Sequence, residues 1–95
     1  MISLDTKLII PGQVVFSVVG RDAFILNTRT NDYYSLEEVG TRLWELLKDG
    51  KSLREGFTLL LKEYDVERGE LERDMLELVG QFIEKGLVEV AASQD

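Results

Sequence analysis

The spacing of apolar residues changes at Ser35, and this change divides the chain into a strand-forming part and a helix-forming part. Between Val14 and Leu36, three short stretches rich in β-branched or aromatic residues have the pattern of strands: Val14–Val19, Ala23–Leu26 and Asp32–Leu36. Polar turns separate them, and these turns are too short for the crossover that a parallel pair needs. The sequence therefore predicts a three-stranded antiparallel meander whose third strand lies at an edge.

The third predicted strand contains two adjacent tyrosines, Tyr33 and Tyr34. Successive side chains of a strand point to opposite faces, so one tyrosine should enter the core while the other faces outward. The pattern fits either assignment of the two side chains.

After Ser35, apolar residues recur about every 3.6 positions, which is typical of amphipathic helices. Three helices are expected, over residues 36–49, 52–64 and 67–85. Gly86 is expected to end the third helix in a left-handed conformation, and residues 87–90 can then add a closing strand. The predicted fold class is α+β, with a three-stranded antiparallel sheet followed by three helices.

Two of the predicted helix starts have the sequence of a capping box. Ser35 is followed three residues later by Glu38, and Ser52 by Glu55. In this motif the hydroxyl and the carboxylate each accept a hydrogen bond from a free backbone N–H at the helix start. We therefore expect the first two helices to begin directly after these serines.

The third helix is apolar over an unusually wide arc of about 160°, whereas packing on one core needs about 100°. Part of this face is therefore available for another contact. Met75 is the strongest candidate for such a contact, because its flexible thioether suits adaptable binding surfaces. Trp44, which has helical spacing with other apolar residues, is expected in the core.

The 95-residue length allows one domain, predicted to span residues 1–95 with a core from about 14 to 90. The chain contains neither Cys nor His. This excludes thiolate nucleophiles, imidazole acid–base chemistry and the usual zinc sites. The carboxylates of the third helix spread over its polar side, as in a solvated surface. No catalytic residue, metal or cofactor is expected.

The net charge of −7 arises entirely after residue 35. Because duplex binding relies on Lys and Arg at the phosphates, nucleic acid is an unfavourable partner. No apolar run approaches the about 18 residues of a membrane span, and the N-terminus lacks the pattern of a signal peptide. We therefore expect a cytoplasmic protein without a membrane partner.

Several short segments, in order along residues 14–90, resemble the pyrroloquinoline quinone biosynthesis protein D (PqqD) family. The segments are Leu26–Asp32 before Tyr33–Leu36, then Val39–Leu47, Tyr64–Val66, Leu71–Asp74 and Lys85–Val88. Family members are recognition elements for ribosomally made, post-translationally modified peptides. The resemblance implies a winged helix-turn-helix fold without a catalytic centre.

The resemblance also implies a partner, which is the leader segment of a precursor peptide. In the family, the leader adds as a strand to the third strand and lies in the groove beside the third helix. A separate modifying enzyme, such as a leader peptidase, a cyclase or a radical SAM enzyme, then acts in lasso-peptide or quinone-cofactor biosynthesis. An exposed strand edge beside an apolar helix face suits this mode, since backbone pairing provides affinity and pockets provide specificity.

Carried over by position, the resemblance implies peptide-binding residues on the strand and on the helix. Those on the strand are Asp32, Tyr33, Tyr34 and Ser35. Those on the helix are Leu71, Arg73, Asp74, Met75, Leu78, Val79 and Phe82. Arg73, and Lys85 beyond it, could meet an acidic residue of the leader.

Two other functions remain open on the sequence alone. One is DNA binding by a winged helix, although the third helix would present six acidic residues against three basic ones. The other is a generic adaptor that binds a folded protein through a flatter patch, independently of the strand edge. Salt-dependent binding to duplex DNA would favour the first, and normal binding by edge-strand variants would favour the second.

Overall fold

The strand-patterned part of the chain forms a three-stranded sheet, and most of the part after it forms three helices. The protein is described by a computed structural model over residues 2–20 and 22–91. Along this part of the chain the elements are β1 (Leu8–Ile9), β2 (Val14–Val19), β3 (Asp22–Asn27), β4 (Tyr33–Leu36), α1 (Glu38–Lys48), α2 (Leu53–Glu63), α3 (Arg68–Glu84) and β5 (Glu89–Val90). Strands β2, β3 and β4 form an antiparallel sheet in that order. The predicted α+β architecture is confirmed.

The central strand β3 sets the inner face of this sheet. Its alternate residues Ala23, Ile25 and Asn27 are buried against the helices. Tyr34 lies opposite Ile25 in the register of β3 and β4, so it belongs to the inner face. Tyr33 lies on the outer face and is 64% exposed. The two tyrosines therefore point to opposite faces as predicted, and Tyr34 is the inward one.

The core extends from the helix bundle to the inner face of the sheet. Buried residues between the helices include Leu43, Leu46, Leu53, Phe57, Leu60, Leu71, Met75 and Val79. Those next to the sheet include Ala23, Ile25, Leu36, Trp44, Phe82 and Leu87. The Trp44 and Phe82 rings meet edge to face with centroids 5.5 Å apart, so Trp44 is a core residue as expected.

The predicted capping box at the start of α2 is confirmed. The Ser52 hydroxyl accepts a hydrogen bond from the Glu55 backbone N–H at 3.0 Å. The Glu55 carboxylate accepts one in return from the Ser52 N–H at 2.8 Å. Both donors would otherwise lack a partner at the helix start.

The predicted capping box at Ser35 is wrong. Ser35 belongs to β4, where it lies opposite Phe24, and α1 begins only at Glu38. The N-cap residue is Glu37, whose side chain makes no capping hydrogen bond. Pairing with β3 extends to Leu36, whose side chain is buried, and thus keeps Ser35 in the strand. The tertiary contact therefore outweighs the local helix-start pattern.

The end of α3 has the predicted glycine cap. Gly86 has a φ of 72°, a conformation that a residue without Cβ adopts without strain. Its N–H donates to the Ile83 carbonyl, and the Leu87 N–H donates to the Phe82 carbonyl at 2.8 Å. This is a Schellman motif, and the Leu87 side chain after it is buried.

The closing strand β5 pairs with a strand that the sequence did not predict. Leu8 of β1 lies opposite Val90, and Ile9 opposite Glu89, in antiparallel register. Before β1, Leu4 inserts into the helical core and is 4% exposed. The N-terminal segment is therefore part of the packed structure, although it is too short to show a strand pattern.

Candidate functional site

Strand β4 lies at an edge of the sheet, and no strand among residues 2–20 and 22–91 pairs with its other side. The Asn27 N–H donates to the Asp32 carbonyl at 2.8 Å, which makes these two residues a hydrogen-bonded pair. Such pairs alternate with non-bonded pairs along an antiparallel ladder. Tyr34 therefore directs its backbone groups to β3, whereas Tyr33 and Ser35 direct their N–H and C=O to the open side.

A groove of about 710 Å³ lies beside this edge, between β4, the start of α1 and one face of α3. The apolar side chains that line it are Leu36, Val39, Leu43, Val66, Leu71, Met75 and Leu78. Its polar lining consists of Tyr34, Ser35, Glu37, Glu38, Glu70, Asp74, Glu77 and Gln81. An open strand edge thus adjoins an apolar hollow, which is the arrangement that favours addition of a peptide strand.

The structure brings together six of the residues that the sequence assigned to the site. Those that line the groove are Tyr34, Ser35, Leu71, Asp74, Met75 and Leu78. The other five, which do not line it, are Asp32, Tyr33, Arg73, Val79 and Phe82. Val79 and Phe82 are fully buried because they face the sheet and the other helices. Met75 packs in the core, where it is 2% exposed, and it also contributes to the groove wall.

Tyr34 fixes the separation between β4 and α3. Its hydroxyl donates a hydrogen bond to the Gln81 side-chain carbonyl. Its ring meets the Phe82 ring edge to face, with the centroids 5.5 Å apart. Gln81 was not among the predicted site residues, although its place seven residues after Asp74 puts both on the same side of α3.

Asn27 fixes the turn that leads into β4. It is 3% exposed, and its side-chain amide donates to the Gly86 carbonyl at 3.0 Å. Its side-chain oxygen accepts hydrogen bonds from the backbone N–H groups of Arg29 and Thr30. Asn27 was not among the predicted site residues. Its position directly before a polar turn is the sequence signal for this role, because an Asn side chain there commonly accepts a hydrogen bond from the backbone N–H two residues later.

Among residues 2–20 and 22–91, five carboxylates and no Lys or Arg line the groove. The carboxylates belong to Glu37, Glu38, Glu70, Asp74 and Glu77. Arg73 and Lys85, which were considered as possible partners of an acidic leader residue, are exposed outside its lining. The lining is therefore apolar at its floor and acidic around it.

The described residues show neither a metal centre nor a membrane span. Within 2–20 and 22–91, no three acidic side chains converge as a metal ion would require. Each helix in that part of the chain is too short or too polar to cross a bilayer.

Residues 22–88, which include β3, β4 and all three helices, match the family model of coenzyme PQQ synthesis protein D (PqqD). The chain belongs to the PqqD family. The match covers every residue that lines the groove. No curated protein matches this PqqD-family chain significantly in sequence.

Two solved structures resemble this PqqD-family protein along nearly its whole length. TbiB1 in complex with the TbiA(beta) leader peptide is 32% identical, with a TM-score of 0.81, covering 90% of this chain and 99% of TbiB1. Lasso peptide synthetase B1 complexed with the leader peptide is 26% identical, with a TM-score of 0.76, covering 88% of this chain and 96% of the synthetase chain. Both of these similar proteins were solved with a leader peptide.

Proposed function

We propose that this PqqD-family protein binds the leader segment of a ribosomally synthesised precursor peptide and presents it to a separate modifying enzyme. Leader-peptide complexes of two similar proteins support the choice of ligand. The observation that carries the proposal is the open β4 edge beside the groove, where Tyr33 and Ser35 direct their backbone groups outward.

The leader adds to β4 as a fourth strand of the sheet. Its backbone pairs with Tyr33 and Ser35, and its alternate side chains enter the groove against Leu71, Met75 and Leu78. Tyr34 supports the strand from behind through Gln81 and Phe82. Asp32, directly before β4, and Arg73 and Asp74 of α3 border the bound peptide, while Val79 and Phe82 support α3 from the core.

The protein contributes binding and leaves the chemistry to its partner. Residues 1–95 act as one recognition domain in the cytoplasm, and the enzyme is a leader peptidase, a cyclase or a radical SAM enzyme. A protein that holds both leader and enzyme raises their effective concentration, which increases the rate without a new catalytic group. The pathway class is lasso-peptide biosynthesis or a PQQ-like cofactor pathway.

The test first looks for a short precursor gene beside the gene of this protein and then uses a fluorescein-labelled synthetic peptide with the sequence of its leader segment. The proposal expects saturable binding of the leader, no change of the precursor by the protein alone, and faster conversion when the neighbouring enzyme is added. Lack of leader binding, or turnover by the isolated protein, would contradict it. A labelled DNA duplex serves as the control ligand and should not bind.

A further inference from the structure

The acidic residues of the groove are arranged in a row along α3. Glu70, Asp74 and Glu77 have i, i+4 and i+7 spacing, so their side chains lie along one stripe of the helix. All three line the groove, and Gln81 continues the stripe to Tyr34. With a rise of about 1.5 Å per residue, the three carboxylates cover about 10 Å of the groove's length.

Of this row, only Glu70 lies where a carboxylate stabilises the helix. Like charges at i, i+4 and i, i+3 repel, at a cost of some tenths of a kcal/mol per pair. Glu70 lies in the first turn, where a carboxylate is favourable, but Asp74 and Glu77 lie in the middle of α3. None of the ion pairs formed within residues 2–20 and 22–91 involves any of the three. Asp74 and Glu77 are therefore stabilised neither by the helix N-terminus nor by an ion pair within the described residues.

Four of the protein's cations line a different hollow. A second hollow, of about 700 Å³ between the N-terminal segment and α2, is lined by Lys7, Lys48, Lys51 and Arg54 together with two carboxylates. The groove, by contrast, is lined by five carboxylates and by no Lys or Arg from the described part of the chain. The difference between the two hollows makes the groove attractive to a positively charged ligand.

We propose that the leader segment bound in the groove carries Lys or Arg side chains that pair with the α3 carboxylates, beside apolar side chains that cover the floor. This proposal rests on the proposed function and specifies the chemistry of its ligand. Alternate residues of an added strand advance by about 6.7 Å, close to the rise of about 6 Å between Glu70 and Asp74. Cationic residues two positions apart in the leader therefore match the row.

The test compares two double variants that change the net charge equally. Asp74→Asn/Glu77→Gln removes two carboxylates of the row, whereas Glu72→Gln/Glu89→Gln removes two exposed carboxylates outside the groove. The probe is the fluorescein-labelled synthetic leader. Exposed ion pairs contribute modestly, so we expect the groove variant to bind about three- to tenfold more weakly and the control to bind like the wild type.

Two further measurements complete the test. Wild-type affinity should fall several-fold between about 0.1 M and 1 M NaCl, because the screening length shortens from about 10 Å to about 3 Å. A leader in which Glu replaces the Lys or Arg residues should bind poorly to the wild type. The same leader should bind more tightly to Asp74→Lys/Glu77→Lys, in which the charges of the groove are reversed. Such rescue depends on charge pairing and does not follow from altered stability.

The outcomes separate this inference from the proposed function. If the wild type fails to bind the leader, the proposed function itself is wrong. If the wild type binds but both double variants bind equally well, with no loss in salt and no rescue, leader recognition stands and the charge proposal is overturned. A leader without Lys or Arg in its bound segment would overturn it as well.

Discussion

The side-chain amide of Asn27 donates a hydrogen bond to the backbone carbonyl of Gly86, although 59 positions separate the two residues in sequence. The contact joins the turn that leads into β4 with the glycine cap that ends α3. A Cβ on Gly86 would lie 3.3 Å from the Asn27 amide nitrogen, so the two groups pack closely. Together with the Tyr34–Gln81 contact, this bond fixes the two walls of the groove relative to each other.

Asn27→Ala should destabilise the fold and weaken leader binding. The change leaves the Gly86 carbonyl and two turn N–H groups without their partner, which costs about 1–3 kcal/mol for a buried site. Urea unfolding and leader titration measure the two effects. Arg29→Ala is the control, because only the backbone of this exposed residue takes part in the turn. Equal stability of both variants would exclude a structural role for the Asn27 side chain.

Proline substitutions in β4 should distinguish the backbone N–H groups that face the open edge from those that pair with β3. Tyr33→Pro removes an N–H that faces the open edge, so the domain should stay folded and lose most leader affinity. Tyr34→Pro removes an N–H that pairs with β3 and should destabilise the sheet itself. Circular dichroism melting and leader titration distinguish these cases.

Tyr33→Ala is the matched control for the proline variants, because it removes the ring but keeps the backbone donor. It should retain most of the affinity that Tyr33→Pro loses. Normal leader binding by folded Tyr33→Pro would contradict strand addition at this position.

A charge introduced at two neighbouring positions of α3 should have different effects. Met75 is 2% exposed, so Met75→Glu places a carboxylate in the core and should lower the melting temperature strongly. Leu78 is half-buried in the groove wall, so Leu78→Glu should mainly reduce leader affinity. Thermal unfolding and titration of both variants provide the comparison. The reverse order of stabilities would mean that Leu78, not Met75, is the core residue.

Stability should fall on acidification because several carboxylates are hydrogen-bonded in the fold. The pKa of Glu67 lies below its ordinary value of 4.5, because the side chain accepts hydrogen bonds from the N–H groups of Gly69 and Glu70. The pKa of Glu63 is lowered by its hydrogen bond from Arg42, which also attracts it by charge. A lowered pKa contributes stability above the unfolded value, which is lost as pH falls through the folded pKa.

The corresponding measurement is the melting temperature between neutral pH and about pH 3. Glu67→Gln should reduce the loss of stability on acidification, since that carboxylate no longer titrates. An identical acid profile for wild type and Glu67→Gln would exclude this contribution.

The sequence predicted the elements whose pattern is local and failed where a distant contact decides. The α2 capping box and the Gly86 cap are short-range motifs, and both are confirmed. The capping box at Ser35 fits equally well by sequence, but pairing with β3 keeps Ser35 in the strand. Strand β1 has only two residues, and it exists because β5 pairs with it.

The same limit applies to the candidate site. The family resemblance indicated β4 and α3 as its walls, and the structure places a groove between them. Periodicity alone did not separate the groove side of α3 from its core side, since apolar residues lie on both and the carboxylates of the groove side have the pattern of a solvated surface. The direction of the Tyr33 and Tyr34 backbone groups depends on the sheet register, which the sequence does not specify.

Backbone amide hydrogen exchange, measured by NMR with and without the synthetic leader, tests strand addition at β4 most directly. In the free protein, the Tyr33 and Ser35 amides should exchange quickly while the Tyr34 amide is already protected by β3. If the leader adds to β4 as a strand, saturating leader should slow exchange of the Tyr33 and Ser35 amides and change the exchange rate of the Tyr34 amide little. Unchanged fast exchange at Tyr33 and Ser35 while the leader is bound would contradict strand addition.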